Sequence, residues 1–466
     1  MSDFFNPYAF IPVTGKPTGI TPFAGIKQGN HPHIRHDLWA KDTHSGRMVC
    51  SLTLKTPTLV GSRRTPGDKY NKTPASLTAY KIGKAHYIPG NSLRGMIGSL
   101  LEAISQSTLR VLSDSEYSVT IDGNKTPKKV NGKVYQAFRN IDINTIPWGN
   151  SNRTDLTPAE SLLGVVAEEQ GDNDGKSRNL ASRVRFYDAF PIKQTKAFTT
   201  NFPLKILAGP KPPAPCMYFS GDGIARKKDD LDLTRHQPSG RKYYLHHRNI
   251  LEDKNSKPNR SWETNNQNKN ADQKTNCELL EPNQTFYFSI DFDNLDDAEL
   301  GLLHTALKPD DNFLHRLGLG KPLGLGSVKI EVCGIFTIDR GKRYTVVGLD
   351  ENRYAHAYNV CGNWTNAALA KHFPHEVEAA KEAAIQAPLT LSSALVDKDT
   401  LKILAALGNP NALSPKLSVC YPVVNHITPG NEEKGYEWFS HNEKSHPPQC
   451  LRPISKDGKI EPLKSN

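Results

Sequence analysis

Four closely spaced glycines constrain this chain more than any other feature of its sequence. Residues 315–327 read His-Arg-Leu-Gly-Leu-Gly-Lys-Pro-Leu-Gly-Leu-Gly-Ser, and the glycines are Gly318, Gly320, Gly324 and Gly326. Glycine takes positive φ angles at little cost and lets the backbone approach a ligand closely. Arg316 and Lys321 add positive charge beside it. The segment therefore suits a phosphate chain, and the alternative is a sharp turn that joins a helix to a strand.

Two common nucleotide-binding loops are excluded by residues at fixed offsets. A Walker A loop would need Gly at position 315 and Ser or Thr at 322, where the chain has His315 and Pro322. The dinucleotide-binding pattern needs a glycine where Leu323 stands, and it opens a helix, whereas this segment precedes a predicted strand. Clamping of a polyanion by the backbone remains as the ligand-binding interpretation.

The composition is that of a basic chain with many turns. Among 466 residues, 59 are Lys or Arg and 48 are Asp or Glu, and the net charge of +11 favours a polyanionic partner. With 34 Gly, 33 Pro and 37% hydrophobic residues, long loops and insertions should surround a modest core. The chain has no Cys-x-x-Cys motif, no apolar run of about 20 residues and no signal-peptide pattern. We therefore expect a cytoplasmic protein with neither structural zinc nor a membrane segment.

Hydrophobic periodicity in the first half predicts a strand and then a helix. Residues 48–54 alternate between apolar and other side chains, which is typical of a half-buried strand. Residues 93–104 place their apolar side chains on one helical face, with Asn91 or Ser92 as the cap after a Pro-Gly turn. Gly95 and Gly98 are poor helix formers, so we expect another backbone or strand to approach them closely.

The second half repeats this pattern around the glycine-rich segment. Residues 286–292 alternate as a strand, and Asp296 with Glu299 forms a capping box for a following helix. Residues 328–332 alternate again after the glycines. The order of these elements predicts an α+β protein with the split β-α-β plan of ferredoxin-like folds.

Arginines are concentrated in three further places. A loop at 59–72 contains Arg63, Arg64 and Lys69. A strand predicted at 181–189 places Arg183 and Arg185 on one face with Tyr187, which suits either nucleic acid or a salt-bridged sheet surface. The densest basic and aromatic block, at 240–248, contains Arg241, Lys242 and His246. Arg94 falls in the first turn of the predicted helix, where a cation is disfavoured unless an anion lies nearby.

The composition along the chain predicts seven segments. They are an extended N-terminal arm (1–30), the first part of a core (31–106), an insertion (107–155), the continued core (156–220), a basic and polar insertion (221–276), the completed core with the glycine-rich loop (277–345) and a C-terminal extension (346–466). The last segment has helical patterns at 365–386 and 397–407, and we expect irregular strand and loop at 421–439.

Four of these motifs, taken in order, resemble the RAMP superfamily of CRISPR proteins. They are Thr56-Pro57 to Gly61, Ile88-Pro89-Gly90-Asn91-Ser92-Leu93-Arg94-Gly95, residues 181–186 with Asp188, and the loop from Gly318 to Ser327. The resemblance covers about 31–340 and is to members that form the guide-RNA-binding backbone of type III interference complexes. A subgroup is indicated by Asn6-Pro7-Tyr8 and by the motif at 240–247.

The resemblance implies an RRM-like core whose loops hold guide RNA (crRNA), with target RNA and other effector subunits as partners. The resemblance also implies that Ser92, Arg94 and the loop at 318–327 contact guide phosphates. The full set of predicted RNA-contacting residues is Arg63, Arg64, Lys69, Ser92, Arg94, Arg183, Arg185, Arg241, Lys242, His246, Arg316, Gly318, Gly320, Lys321, Gly324, Gly326 and Ser327.

Three functions stay open from the sequence. The first is RNA binding without chemistry. The second is metal-dependent cleavage of target RNA, because catalytic relatives use an Asp between the first strand and the helix; here that residue would be Asp68, with Mg²⁺ as its cofactor. Thr73-Pro74 occupies the position where that Asp would fall. The third is metal-independent guide processing with His36 or His44 as the general base.

Overall fold

The structure of the protein is a computed structural model. It describes residues 3–22, 34–114, 116–119, 128–148, 153–166, 179–206, 215–251, 260–264, 271–345, 353–362, 364, 366–382, 389, 391–422 and 435–465. Parts of the predicted insertions at 107–155 and 221–276, and of the C-terminal extension, lie outside these residues. None of the described helices has the length and apolar character needed to cross a bilayer.

A central antiparallel sheet and two helices form the core. The strands are β1 (His44–Leu54), β2 (Val184–Phe186), β3 (Thr285–Leu295) and β4 (Ser327–Thr337), and the helices are α1 (Gly90–Ile104) and α2 (Asp297–Leu307). The strand order is β4-β1-β3-β2, and each neighbouring pair is antiparallel. With α1 after β1 and α2 after β3, this is the ferredoxin-like arrangement, so the predicted fold class is confirmed.

The alternation in β1 separates two apolar layers. Met48, Cys50 and Leu52 are fully buried in the layer shared with α1 and α2. Val49 points to the other face, where it packs with Phe336 of β4 and with apolar residues of the segment at 354–379. The C-terminal extension therefore covers part of the sheet face that α1 and α2 leave open.

The starts of the two core helices differ from each other. Asp296 and Glu299 form the predicted capping box of α2. In α1 the N-cap is Pro89, which has no capping side chain, and Asp188 Oδ1 instead accepts a hydrogen bond from the Gly90 amide at 2.7 Å. The prediction that Asn91 or Ser92 caps α1 is wrong, because both lie inside the helix.

Further elements surround this core. The other strands are Asp3–Phe4, Tyr8–Ile11, Thr21–Pro22, Gly61–Thr65, Ala75–Ala79, Lys81–Ile82, Ala85–His86, Glu116–Val119, Lys128–Lys133, Asp155–Leu156, Phe190–Pro191, Ala197–Thr199, Phe219–Gly221, His236–Pro238, Arg241–Tyr244, Thr275–Leu280, His315–Arg316, His356–Tyr358 and Leu463–Lys464. The other helices are Val134–Arg139, Pro158–Leu163, Arg248–Leu251, Arg340–Arg343, Ala367–His372, Pro374–Glu382, Lys398–Gly408 and Gly435–Lys444.

The N-terminal arm is bound to distant parts of the same chain. Tyr8–Ile11 pairs with Arg241–Tyr244, and Tyr8 lies opposite Tyr244. Asp3–Phe4 pairs with Leu463–Lys464. The two motifs that indicated a subgroup are therefore partners in one small sheet.

Three predicted elements differ from the observed ones. The strand predicted at 181–189 spans only Val184–Phe186. The helical pattern at 365–386 forms two helices, Ala367–His372 and Pro374–Glu382, because Phe373 leaves the helical conformation before a proline. Residues 435–439, expected as strand or loop, belong to the helix Gly435–Lys444.

Candidate nucleic-acid interface

The glycine loop, residues 318–327, begins one residue after a short strand and leads into β4. Its glycines have φ angles of +74° (Gly318), +72° (Gly320), +87° (Gly324) and +76° (Gly326). Residues other than glycine rarely adopt these backbone angles. A 3₁₀ turn, Lys321–Leu323, lies between the two pairs of glycines. The predicted need for positive φ is therefore met at all four positions.

Main-chain contacts attach the glycine loop to the residues that follow β1. The Leu319 amide donates to Leu59 O at 2.9 Å, and the Gly326 amide donates to Pro57 O at 3.0 Å. Thr56 Oγ1 accepts from the Ser327 amide at 2.9 Å. The Thr-Pro motif thus supports the loop, a role that its sequence alone did not reveal.

Three backbone amides of the glycine loop are unused donors within the described part of the chain. Those of Gly318, Gly320 and Lys321 have no hydrogen-bond partner among the described residues. Successive backbone N–H groups near glycines with positive φ are typical of anion-binding sites. The backbone therefore offers donors next to two cationic side chains.

Arg316 lies at the start of this loop and is only 5% exposed. Its guanidinium donates to Ser327 Oγ at 2.6 Å and to Lys321 O, while Nε has no partner. It contacts no carboxylate in the described part of the chain. Burial lowers the pKa of Arg316 to about 10, which leaves it cationic at neutral pH. A buried, unpaired charge of this kind is costly unless an anion binds beside it.

Of the titratable groups next to Arg316, Lys321 is mainly cationic at neutral pH and the two histidines are not. Burial, followed by repulsion from Arg316, lowers the pKa of Lys321 to about 8. Burial also lowers the pKa of His247 to about 3 and holds that of His246 well below its usual value, so both imidazoles are neutral. His246 Nδ1 lies 2.8 Å from Ser327 Oγ, and His247 Nε2 is buried without a partner. His246 thus contacts the last residue of the glycine loop, whereas Nε2 of His247 lacks a hydrogen-bond partner.

Ser92 and Arg94 lie apart from the glycine loop. A Cβ at Gly90, the first residue of α1, would meet Phe186 in β2, so α1 starts beside the sheet edge opposite β4. β1 and β3 lie between β2 and β4, so these two strands are about 15 Å apart at ~4.8 Å per strand. Arg94 Nη2 donates to Leu163 O at 2.6 Å, and burial lowers its pKa. The structure therefore does not bring these two residues to the glycine loop.

Gly95 and Gly98, the two interior glycines of α1, have different surroundings. A Cβ at Gly98 would lie 2.9 Å from an Arg110 side-chain nitrogen, whereas one at Gly95 would meet nothing within 4 Å. The atoms near Gly98 belong to the side chains of Arg110 and Leu163, so the predicted approach of a backbone or strand is wrong for both glycines among the described residues. Gly95 leaves the surface of α1 bare at this turn.

Arg183 and Arg185 do not share a surface. Arg183 precedes β2, is 3% exposed and forms an ion pair with Glu299. Its Nη1 also donates to Asn294 O at 2.8 Å, so its donors are used inside the protein. Arg185 is exposed opposite Asp291 of β3, whose carboxylate accepts from Tyr187. The prediction of one face carrying both arginines is wrong, because the strand starts only at Val184.

The basic block at 240–248 is also divided. Arg241 donates to Glu102 Oε2 at 3.1 Å and to Ser107 O, and its side chain is 8% exposed. Lys242 places Nζ 3.8 Å from the ring centre of Tyr8 and 4.9 Å from that of Tyr244. Burial lowers the pKa of Lys242 to about 8. Arg241 therefore links the insertion to α1, and Lys242 lies among tyrosines.

The loop at 59–72 forms part of a hairpin at the edge of a second sheet. Arg63 and Arg64 are exposed in the strand Gly61–Thr65, and Lys69 is exposed in the turn. Asp68 Oδ1 accepts from the Tyr70 and Asn71 amides at 2.8 and 3.1 Å, and Oδ2 accepts from Asn71 Nδ2. These hydrogen bonds, those of Asn71 first, lower the pKa of Asp68. Its carboxylate thus closes the turn.

Asp68, His36 and His44, the residues predicted for the two catalytic functions, lie in different parts of the fold. His36 Nε2 lies 3.2 Å from Ala181 O, and His44 Nε2 lies 2.8 Å from Asp297 Oδ1. Within the described ranges, no group of three or more His, Cys, Asp or Glu side chains could hold a metal ion. The structure therefore presents basic and backbone groups at the glycine loop, and Asp68 lies in a separate turn.

A family model described as "RAMP superfamily" matches residues 51–329, which is more than half of the chain. No curated protein matches the sequence. Among solved structures, a "Type IV-B CRISPR Complex" chain has 11% identity and a TM-score of 0.28, and the match covers 61% of this chain and 90% of that one.

A second solved structure is titled "Crystal structure of Thermofilum pendens Csc2". Its identity is 15% and its TM-score is 0.29, with 83% of this chain and 88% of that chain covered. At these identities and TM-scores, the two solved structures say nothing about the function of this chain. Its family is shown by the family model, in agreement with the order of the four motifs. The ferredoxin-like core lies between the arm and the extension, and over that core the chain belongs to the RAMP superfamily of CRISPR-associated proteins.

Proposed function

We propose that this chain binds guide RNA as a subunit of a CRISPR effector complex and holds the RNA backbone at the glycine loop. The observation that carries the proposal is the buried cation Arg316, which contacts no carboxylate in the described part of the chain and lies beside Lys321. The amides of Gly318, Gly320 and Lys321 supply further donors. A phosphate would offset the cost of the buried charge and accept these hydrogen bonds.

Binding at this loop would not depend on base identity. Backbone amides and a guanidinium contact phosphate oxygens, which are the same at every nucleotide. Exposed Arg63, Arg64 and Lys69 would add long-range attraction for any RNA strand. The guide sequence would thus stay free to pair with a target RNA.

We further propose that this chain is a backbone subunit of a type III complex and that its partners are other effector subunits. It is supported by the order of the four motifs, which resembles members of that kind. The hairpin with Asp68 lies between β1 and α1, where catalytic relatives carry their Asp, but the Asp68 carboxylate accepts three hydrogen bonds within its own turn. We therefore propose binding without chemistry by this chain.

The proposal is tested with purified full-length protein and a fluorescent single-stranded RNA of about 20 nucleotides. Fluorescence anisotropy should give an affinity that falls steeply with salt, because bound phosphates release counterions. Arg316→Gln should lower the affinity about tenfold or more, since charged hydrogen bonds contribute about 1.5–3 kcal/mol. Asp311→Asn, at a side chain that is 85% exposed, serves as the control. Equal binding by Arg316→Gln and wild type would refute the proposal.

A further inference from the structure

Two exposed aromatic side chains are stacked at the far end of the sheet. The rings of Trp39 and Tyr344 have centroids 4.7 Å apart and planes inclined by 24°. Trp39 is 57% exposed and Tyr344 is 64% exposed. We call this pair the aromatic platform. Large aromatic side chains exposed together in this way mark interaction sites more often than chance.

Buried contacts hold the aromatic platform in place. Asn294, 2% exposed, donates through Nδ2 to Leu38 O at 2.6 Å and accepts from the Ala40 amide at 3.3 Å, which fixes the chain on both sides of Trp39. The Arg340 guanidinium lies 4.8 Å from the Trp39 ring centre and forms an ion pair with Asp293. The stack is therefore a preformed surface and not a loose loop.

Trp39 is also the exception among the tryptophans. The chain has five, and the other four, Trp148, Trp262, Trp364 and Trp438, are at most 8% exposed. An indole held at the surface forgoes the gain that burial would give it. A ligand that covers the platform would recover that gain.

Charged residues of both signs flank Trp39 and Tyr344 in the sequence. Asp37 pairs with Arg35 and Asp293 pairs with Arg340, while Asp297 accepts a hydrogen bond from His44. Lys41 and Lys342 are exposed, as are Asp42 and Asp339. Stacked rings next to exposed cations are the arrangement that binds single-stranded nucleic acid without sequence preference.

We propose that a nucleobase of single-stranded RNA stacks on the aromatic platform, as a second contact besides the glycine loop. This inference rests on the proposed function. Trp39 precedes β1 and Tyr344 follows β4, whereas the glycine loop lies beyond the other ends of these antiparallel strands. The 11 residues of β1 span about 35 Å at ~3.3 Å per residue. A stacked strand covers that distance with about ten nucleotides at ~3.4 Å each.

Trp39 itself supplies the signal for the test. The difference between the emission of wild type and of Trp39→Phe isolates the one exposed indole, and RNA of about 15 nucleotides should quench that difference spectrum. Anisotropy should show that Trp39→Ala with Tyr344→Ala binds this RNA about 5- to 100-fold more weakly, in line with base–aromatic stacking. The variant Trp39→Phe with Tyr344→Phe, which retains flat rings, should stay within about threefold of wild type.

The controls separate this inference from the proposed function. Val111→Ala, at a side chain that is 90% exposed elsewhere, should bind like wild type. RNA of about five nucleotides is too short to reach both sites, so it should lose less affinity in the double alanine variant. The platform inference is wrong if the double alanine variant binds the 15-nucleotide RNA with unchanged affinity and if RNA does not change the Trp39 emission of the wild type. The proposed function would stand in that case. If wild type binds no RNA, both are wrong.

Discussion

Asp188 Oδ1 accepts the amide hydrogen of Gly90 at 2.7 Å, so a carboxylate from the residues after β2 occupies the start of α1. An anion at a helix N-terminus satisfies a free amide and the helix dipole together. In this protein the anion belongs to the chain itself. One amide at the start of α1 is therefore already used, and Asp188 ties the helix to the segment that follows β2.

We expect Asp188→Ala to lower the free energy of unfolding by about 1 kcal/mol, the usual cost of losing a helix cap. Asp188→Asn keeps an acceptor oxygen and should lose less. Urea denaturation followed by circular dichroism measures both. Asp311→Ala, which removes an exposed carboxylate, is the matched control and should change stability by less than about 0.5 kcal/mol.

Arg316 and Arg183 should respond in opposite ways to replacement by Met. Arg316→Met removes a buried charge that lacks a carboxylate partner among the described residues, so the free energy of unfolding should stay constant or rise. Its RNA affinity should fall about 10- to 100-fold. Denaturation and anisotropy on the same samples test this, and a marked loss of stability would contradict it.

Arg183→Met provides the contrasting case. It leaves the buried carboxylate of Glu299 without its ion-pair partner, which should cost about 3–5 kcal/mol of stability. RNA affinity measured on the folded fraction should change little, because the Arg183 guanidinium faces the interior. A large loss of affinity without a loss of stability would show that Arg183 contacts RNA directly.

RNA binding should weaken as pH rises through about 8, where Lys321 loses its proton. The charged form is the one that attracts phosphate. Lys321→Arg stays charged at higher pH and should flatten the profile, whereas Lys321→Gln should bind weakly at every pH. Anisotropy between pH 7 and 9 measures this, and identical profiles for Lys321→Arg and wild type would count against a role for Lys321.

The titration of Lys321 should also make the free energy of unfolding depend on pH. Its pKa is about 8 when folded and about 10.5 when unfolded, so the unfolded chain binds more protons between these values. The buried charge costs stability below pH 8, and this cost is relieved as pH rises toward 10.5. Lys321→Gln lacks the effect. The gain in stability of Lys321→Gln over wild type should therefore shrink between pH 8 and 10.

Gly326→Ala should disrupt the glycine loop. Gly326 has φ +76°, and a Cβ there would lie 1.9 Å from Leu317 O. We expect a loss of several-fold or more in RNA affinity together with lower stability. Gly95→Ala is the matched control, because its Cβ meets nothing within 4 Å and the helix should gain about 0.5–1 kcal/mol. Thermal melting distinguishes the two variants.

Asp68→Asn should leave target RNA intact to the same degree as wild type. The amide retains an oxygen that can accept from the Tyr70 and Asn71 amides, so the turn should persist. End-labelled RNA incubated with Mg²⁺ and analysed on a denaturing gel gives the measurement. Cleavage that requires Mg²⁺ and disappears in Asp68→Asn would establish catalysis instead.

Local patterns predicted the core well because its elements carry their own periodicity. The alternation around Met48 and Cys50 indicated β1, and the capping box of Asp296 and Glu299 indicated the start of α2. The order of elements then predicted the ferredoxin-like sheet. Each of these signals lies within about 15 residues of sequence, which is the range over which periodicity can be recognised.

The site was less predictable because burial of arginine depends on contacts across the fold. Arg183 and Arg316 are both buried, yet one faces Glu299 and the other faces no acid in the described part of the chain. Nothing in the neighbouring residues distinguishes them. The platform of Trp39 and Tyr344 was missed for the same reason, since 305 positions separate two rings that each look ordinary in sequence.

The pairing of Asp3–Phe4 with Leu463–Lys464 has a consequence for synthesis. A ribosome that adds about 5–20 residues per second needs roughly 25 to 90 seconds to make the second strand after the first. During that time Phe4 and Phe5, which are 4% exposed in the finished protein, have no complete surface to pack against. Newly made chains should therefore leave Phe4 and Phe5 exposed to chaperones until residues 463–464 have been synthesised.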